Sequence, residues 1–114
     1  MLTIYHNPRC SKSRQTLSLL QDQGLEPAIV LYLDTPPSSE TLERLLKKLG
    51  LNARQLLRRG EQEYKDHNLV DASLSEQQLI AAMAKYPKLI ERPIVINGER
   101  AAIGRPPEAV LEIL

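Results

Sequence analysis

The chain has no tryptophan and no phenylalanine, and only one cysteine among its 114 residues. A lone cysteine excludes an internal disulfide, and a reducing compartment is the expected setting. Long apolar runs are missing as well. Nothing approaches the ~20 apolar residues of a membrane-spanning helix, and the first residues lack the basic, apolar and small-residue order of a secretory signal. The expectation is a cytoplasmic chain with no membrane partner. Charge of one sign is also scarce. Fifteen Lys and Arg against fourteen Asp and Glu leave a formal net charge of +1, so there is no electrostatic case for a nucleic-acid partner.

What is present is an ordinary globular composition, 42% hydrophobic and 25% charged, at a natural single-domain length. Leu2-Thr3-Ile4-Tyr5 reads as a strand. Leu17, Leu19 and Leu20 begin a helical apolar stripe that ends at Gly24, a residue suited to the position just past a helix end. The apolar run Ala28-Ile29-Val30-Leu31-Tyr32-Leu33 predicts a buried strand, and strand, helix and strand together make a parallel βαβ unit. Asp34-Thr35-Pro36-Pro37 breaks the pattern. Ser38 or Ser39 then caps a helix with Leu42, Leu45, Leu46 and Leu49 on one face and Gly50 as its stop.

From Asn52 a short helix runs through Leu56 and Leu57, followed by a polar stretch through Tyr64 and His67 without sustained period. Ser75 with Gln78 three residues on reads as a capping box, ahead of a helix with Leu79, Ile80 and Met83 inward. Two strand-like runs around Asn97-Gly98 predict a hairpin with those two residues at the centre of a type I′ turn. A last helix follows, with Val110, Leu111 and Leu114 expected to face inward. The order is that of an α/β thioredoxin-like core, made of a βαβ unit and a C-terminal β-hairpin and helix. Residues 36–90 read as a helical insertion within a single domain, 1–114. In that fold the proline leading into the third strand follows a cis bond and faces the cysteine, so Arg92-Pro93 is expected to be cis.

The chemistry centres on His6-Asn7-Pro8-Arg9-Cys10-Ser11-Lys12-Ser13-Arg14, the turn between the first strand and helix. Unpaired N–H groups and the positive end of the dipole favour an anion at a helix N-terminus. A thiolate is such an anion. Helix N-termini with cationic neighbours lower a cysteine pKa from about 8.5 to roughly 3.5–7.5, and Arg9, Lys12 and Arg14 are the neighbours in sequence. Arg58, Arg92 and Arg105 fall at junctions near strand or helix ends. Guanidinium groups bind tetrahedral oxyanions with planar, often bidentate hydrogen bonds, so several gathered at one thiolate would form an oxyanion site. One cysteine and two distant histidines make a poor ligand set, and no metal is expected.

Taken together, the turn from His6 to Arg14, Leu31-Tyr32-Leu33-Asp34-Thr35-Pro36-Pro37, Leu56-Leu57-Arg58-Arg59, Arg92-Pro93-Ile94-Val95 and Gly104-Arg105-Pro106-Pro107-Glu108 resemble the glutaredoxin-dependent arsenate reductases. The resemblance covers almost the whole chain, in order. It implies a catalytic Cys10, with Arg58, Arg92 and Arg105 binding the oxyanion and Arg59 as an alternative to Arg58. His6 matches the histidine near the family's cysteine, in a role that is either hydrogen-bonding support or purely structural. Ser13 stands where a second cysteine would complete a Cys-x-x-Cys motif, so a resolving thiol must come from outside. Glutathione as co-substrate and glutaredoxin as partner are what the resemblance implies, with arsenate or a similar oxyanion as substrate and no tightly bound cofactor. Three residues separate Cys10 from Arg14, not the five of a phosphatase-like loop, which disfavours that chemistry. Two other classes remain open: a binding module like the Spx regulators, which contact RNA polymerase, and a monothiol oxidoreductase acting on glutathione mixed disulfides.

Overall fold

The computed structural model describes residues 2–114. These separate into two compact units: 2–35 with 92–114, and 36–91. The first unit is built on a sheet of strands β1 (Leu2–Tyr5), β2 (Ala28–Val30), β3 (Ile94–Asn97) and β4 (Arg100–Ile103) in the order β2-β1-β3-β4. β1 runs parallel to β2 and antiparallel to β3, which is antiparallel to β4. Helix α1 (Ser11–Asp22) connects β1 to β2. This is the thioredoxin-like arrangement, a βαβ unit joined to a hairpin, and the Arg92–Pro93 bond is cis, as is Arg105–Pro106.

Alternation along the strands sends every second residue to one face. The register aligns Ile4, Val95 and Ala102, and this row packs with Leu20 of α1 and with Val110 and Ile113 into the core of the unit. α1 ends in a Schellman motif. Gly24, at φ +77, donates to the Gln21 carbonyl, and the Leu25 N–H reaches Leu20.

Four details depart from the sequence pattern. The run at 28–33 stops being a strand after Val30, because Asp34 and Thr35 N–H groups turn back onto the Leu31 carbonyl. β2 is an edge strand, not a buried one: Ile29 is 49% and Leu31 39% exposed, whereas Tyr32 in the turn is fully buried and stacks on Tyr5. The hairpin turn is shifted by one residue. Asn97 pairs with Arg100, which leaves Gly98-Glu99 at the centre with positive φ at Gly98 alone, the pattern of a II′ turn. Finally, the C-terminal helix is a 3₁₀ helix (Pro107–Ile113). Its period of three brings Pro107, Val110 and Ile113 inward and leaves Leu111 and Leu114 exposed, correcting the 3.6-residue expectation. Asn97 Nδ2 and Arg100 Nη2 donate to the Ile113 and Glu112 carbonyls at its end, 2.7 Å each.

The second unit is helical: α2 (Ser39–Leu49), α3 (Ala53–Leu56), α4 (Gln62–Asp66), α5 (Glu76–Lys85) and a 3₁₀ turn (Pro87–Leu89). Ser38 caps α2 by accepting from the Thr41 N–H, and Gly50 in the left-handed region ends it. Ser75 and Gln78 form the expected capping box, and Asn52 with Gln55 forms another. Leu42, Leu45, Leu46, Leu79, Ile80 and Met83 are buried. The polar stretch that lacked a period contains α4 with Tyr64 buried, and His67 stacks on Tyr86 at 4.4 Å between ring centres. Arg54 ties the following loop down through the Leu69 and Asp71 carbonyls at 2.7 and 2.9 Å. Among the described residues no helix is long and apolar enough to cross a membrane.

Gly104, just past β4, is the glycine with the least room around it. A Cβ there would lie 2.5 Å from Thr16 Oγ1 and 2.8 Å from Pro93 Cγ. Thr16 is buried and its hydroxyl donates to the Lys12 carbonyl at 2.8 Å, so it has little room to yield. We expect Gly104→Ala to lose about 1–3 kcal/mol of unfolding free energy in urea titration. Gly60→Ala, where a Cβ meets nothing within 4 Å, should change little.

Candidate active site

The strand directions bring four chain segments to one end of the sheet. β1, β2 and β4 finish there and β3 begins there. The loop after β1, which carries Cys10, is therefore central. The turn after β2 lies to one side of it, and Arg92-Pro93 with Gly104-Arg105 lie to the other.

The loop is fixed from within. The His6 N–H extends the β1–β2 ladder to the Val30 carbonyl at 2.9 Å, and the Cys10 N–H donates to the Asn7 carbonyl at 3.0 Å. Asn7 Oδ1 accepts from the Arg9 N–H at 3.0 Å, a local Asx bond of the kind an Asn-Pro sequence favours. The loop is also bound to the first turn of α1. Ser13 is fully buried; its Oγ accepts from the Asn7 N–H at 3.0 Å and lies 2.7 Å from His6 Nδ1. Arg14 Nη1 donates to the Pro8 carbonyl at 2.9 Å. Ser13, the position of the missing second thiol, is thus a structural pin, and Arg14 ties the loop from outside.

Cys10 is the N-cap residue of α1, with extended backbone and a partly exposed side chain. Burial pushes its thiol pKa up. The Ser13 N–H, the Arg92 side chain through hydrogen bond and charge, and the Lys12 N–H push it down, and they prevail. The helix N-terminus acts here through specific donors, the Ser13 and Lys12 N–H groups of its first turn. The sequence neighbours Arg9 and Arg14 are not the source. The guanidinium that matters comes from a residue 82 positions away in the chain.

Arg105 completes this cluster. Its Nη2 lies 3.8 Å from Cys10 Sγ, and its Nε donates to the Arg92 carbonyl at 2.8 Å, so the backbone that carries one arginine aims the other. Arg105 is exposed, and solvent screens its charge more than that of the partly buried Arg92. Pro93 is buried beside Gly104, whose N–H donates to the Pro93 carbonyl at 2.9 Å. His6 is buried; burial first, and the Arg14 charge second, hold its pKa below the ordinary histidine value, so the ring is neutral at pH 7.

Arg58 belongs to the helical unit. Its guanidinium lies 3.4 Å from Glu91 and 3.7 Å from Glu61, while its backbone N–H donates to the Leu89 carbonyl at 2.8 Å. Arg59 next to it is exposed. Among the described residues no group of three or more His, Cys, Asp or Glu gathers as a metal-binding set. Three residues that hold the site have no individual role in the sequence reading: Asn7 and Gly104, which lie within its quoted motifs, and Thr16, which lies outside them. Asn7 precedes a proline and Gly104 sits at a strand end, both signals of a constrained backbone; Thr16 carries no such signal.

The chain thus has a thioredoxin-like fold with a cysteine at the N-terminus of its first helix and the side chains of Arg92 and Arg105 at the sulfur. The sequence profile of the ArsC family matches residues 5–113, and the chain belongs to that family. It is 62% identical over 112 residues to the uncharacterized protein YfgD of Escherichia coli, covering 97% of this chain and 94% of that one. Against the arsenate reductase of Haemophilus influenzae it is 53% identical over 112 residues, 97% of each. The solved structure of an arsenate reductase from Vibrio cholerae matches with a TM-score of 0.97 at 57% identity, covering 99% of this chain and 97% of that chain.

The lowered Cys10 pKa has a direct readout. The rate of alkylation by iodoacetamide should rise with pH through a midpoint below that of an ordinary cysteine. Arg92→Ala removes a group that favours the thiolate, so the midpoint should move up, whereas Lys47→Ala on the exposed face of α2 should leave it in place.

Proposed function

We propose that this protein reduces arsenate to arsenite through Cys10, with glutathione and glutaredoxin supplying the electrons. The observation that carries the reading is the juxtaposition at the sulfur: a thiol biased toward the anion by the Ser13 and Lys12 N–H groups and Arg92, with the Arg105 guanidinium 3.8 Å away. The names of its relatives support the same substrate.

In the proposed cycle the Cys10 thiolate attacks arsenic and an oxygen leaves as water, giving an arsenic(V) thioester on Cys10. Arg92 and Arg105 offer donors to the remaining oxygens, which concentrate negative charge as the bond forms. Arg58 is the third oxyanion-binding residue that the family resemblance assigns. Glutathione then replaces a second oxygen, again released as water, and arsenic carries two sulfurs. A glutaredoxin thiolate attacks the glutathione sulfur; a disulfide forms, the arsenic–sulfur bond breaks, and its electron pair stays on arsenic, now at +3. Water releases arsenite and returns the Cys10 thiol. Ser13 offers no second thiol, so every cycle must draw its disulfide partner from outside the chain.

The decisive assay combines arsenate, glutathione, glutaredoxin and a reductant. Wild-type protein should turn over and Cys10→Ser should not; turnover that survives loss of Cys10 removes the reading. Arg92→Ala and Arg105→Ala should each lower kcat/KM by about tenfold or more, as loss of a charge-assisted donor at a developing anion does. Arg58→Ala should lower it comparably and Arg59→Ala should not.

A further inference from the structure

Beside the Cys10 loop, on the side away from Arg92 and Arg105, lies a pocket of about 300 Å³ lined by His6, Asn7, Pro8, Arg9, Leu31, Leu33 and Asp34. Its position follows from the strand order, since the turn after β2 flanks the loop after β1. The volume is at the lower end of those that hold small molecules. One wall is the run of residues leading directly into Cys10. The other is the turn whose Leu31 is 39% exposed on the edge of the sheet.

The lining carries one cation, Arg9, and one anion, Asp34, both exposed. Among the described residues neither forms an ion pair, with each other or with a third group. Opposite charges that share a pocket without closing on one another suit a ligand with complementary charges. Pro8, Leu31 and Leu33 supply apolar contact between them. Glutathione has this pattern: a carboxylate at each end, one ammonium, and methylenes between.

We propose that this pocket is the glutathione subsite, with Arg9 taking a carboxylate and Asp34 the ammonium, so that the thiol meets arsenic from the side opposite the arginines. The inference rests on the glutathione-coupled reading above. It also gives that reading a geometry: with Arg92 and Arg105 on one flank of Cys10, the other flank is the side left for an incoming thiol. In the step served by this subsite one arsenic–oxygen bond breaks and one arsenic–sulfur bond forms. The departing hydroxyl leaves with the thiol proton as water, and arsenic stays at +5 until the glutaredoxin thiol acts.

Two measurements test the subsite. In the first, labelled wild-type protein is titrated with S-methylglutathione, whose blocked sulfur cannot react, and amide shifts are followed by NMR. Changes centred on residues 6–9 and 31–34 support the pocket; changes centred on 92–93 and 104–108, or none at saturating concentration, overturn it. In the second, Arg9→Ala and Asp34→Ala should each raise the KM for glutathione about tenfold and leave the KM for arsenate unchanged. An unchanged glutathione KM, or an equal rise in both, also overturns it. Failure of wild-type protein to reduce arsenate would remove the proposed reaction, while the titration still decides the pocket by itself.

Discussion

A buried hydroxyl is the central tie of the loop that carries Cys10. Ser13 Oγ receives the Asn7 N–H and meets His6 Nδ1, which fastens the loop after β1 to the first turn of α1. A buried polar group left without partners costs about 1–3 kcal/mol, so the three groups constrain one another strongly. Cys10 hangs between these two anchored segments. Its sulfur therefore meets the Ser13 and Lys12 N–H groups in a fixed orientation, and the electrostatics of the thiol is inherited from the geometry of the loop.

The arginines are positioned by equally local means. Arg92 stands at the cis bond that starts β3, and its carbonyl holds Arg105 Nε. Gly104 brings the end of β4 against Thr16 of α1 and Pro93, a separation that no larger residue permits without displacement. Sheet register thus becomes charge placement: the antiparallel pairing of β3 and β4 determines which guanidinium groups reach the sulfur.

Much of this was legible in the sequence, and the reasons are physical. α2 and α5 could be read because their apolar stripes repeat at helical spacing and their caps are local, Ser38 for one and Ser75 with Gln78 for the other. The βαβ-plus-hairpin order could be read because strands and helices differ in period. Composition alone could not show that 28–33 bends after Val30, since apolar residues occupy both the strand and the turn that buries Tyr32. Asn97-Gly98 gave the hairpin but not its phase; one glycine with positive φ serves either of two turns, and pairing across Asn97 and Arg100 selects between them. Arg9 and Arg14 are within four positions of Cys10 in the chain, yet Arg92 acts on it, because proximity in a folded sheet is set by strand pairing.

The C-terminal 3₁₀ helix counts in threes. Pro107, Val110 and Ile113 share its inward face, and the carbonyls of its last residues are gripped by Asn97 and Arg100 across the sheet. Adding or removing one residue between Pro107 and Val110 would rotate everything downstream by about a third of a turn. Val110 and Ile113 would swing away from the core, and both grips would release together. Length variation along this segment is therefore admissible only in whole turns, a reading frame written in packing and not in the genetic code.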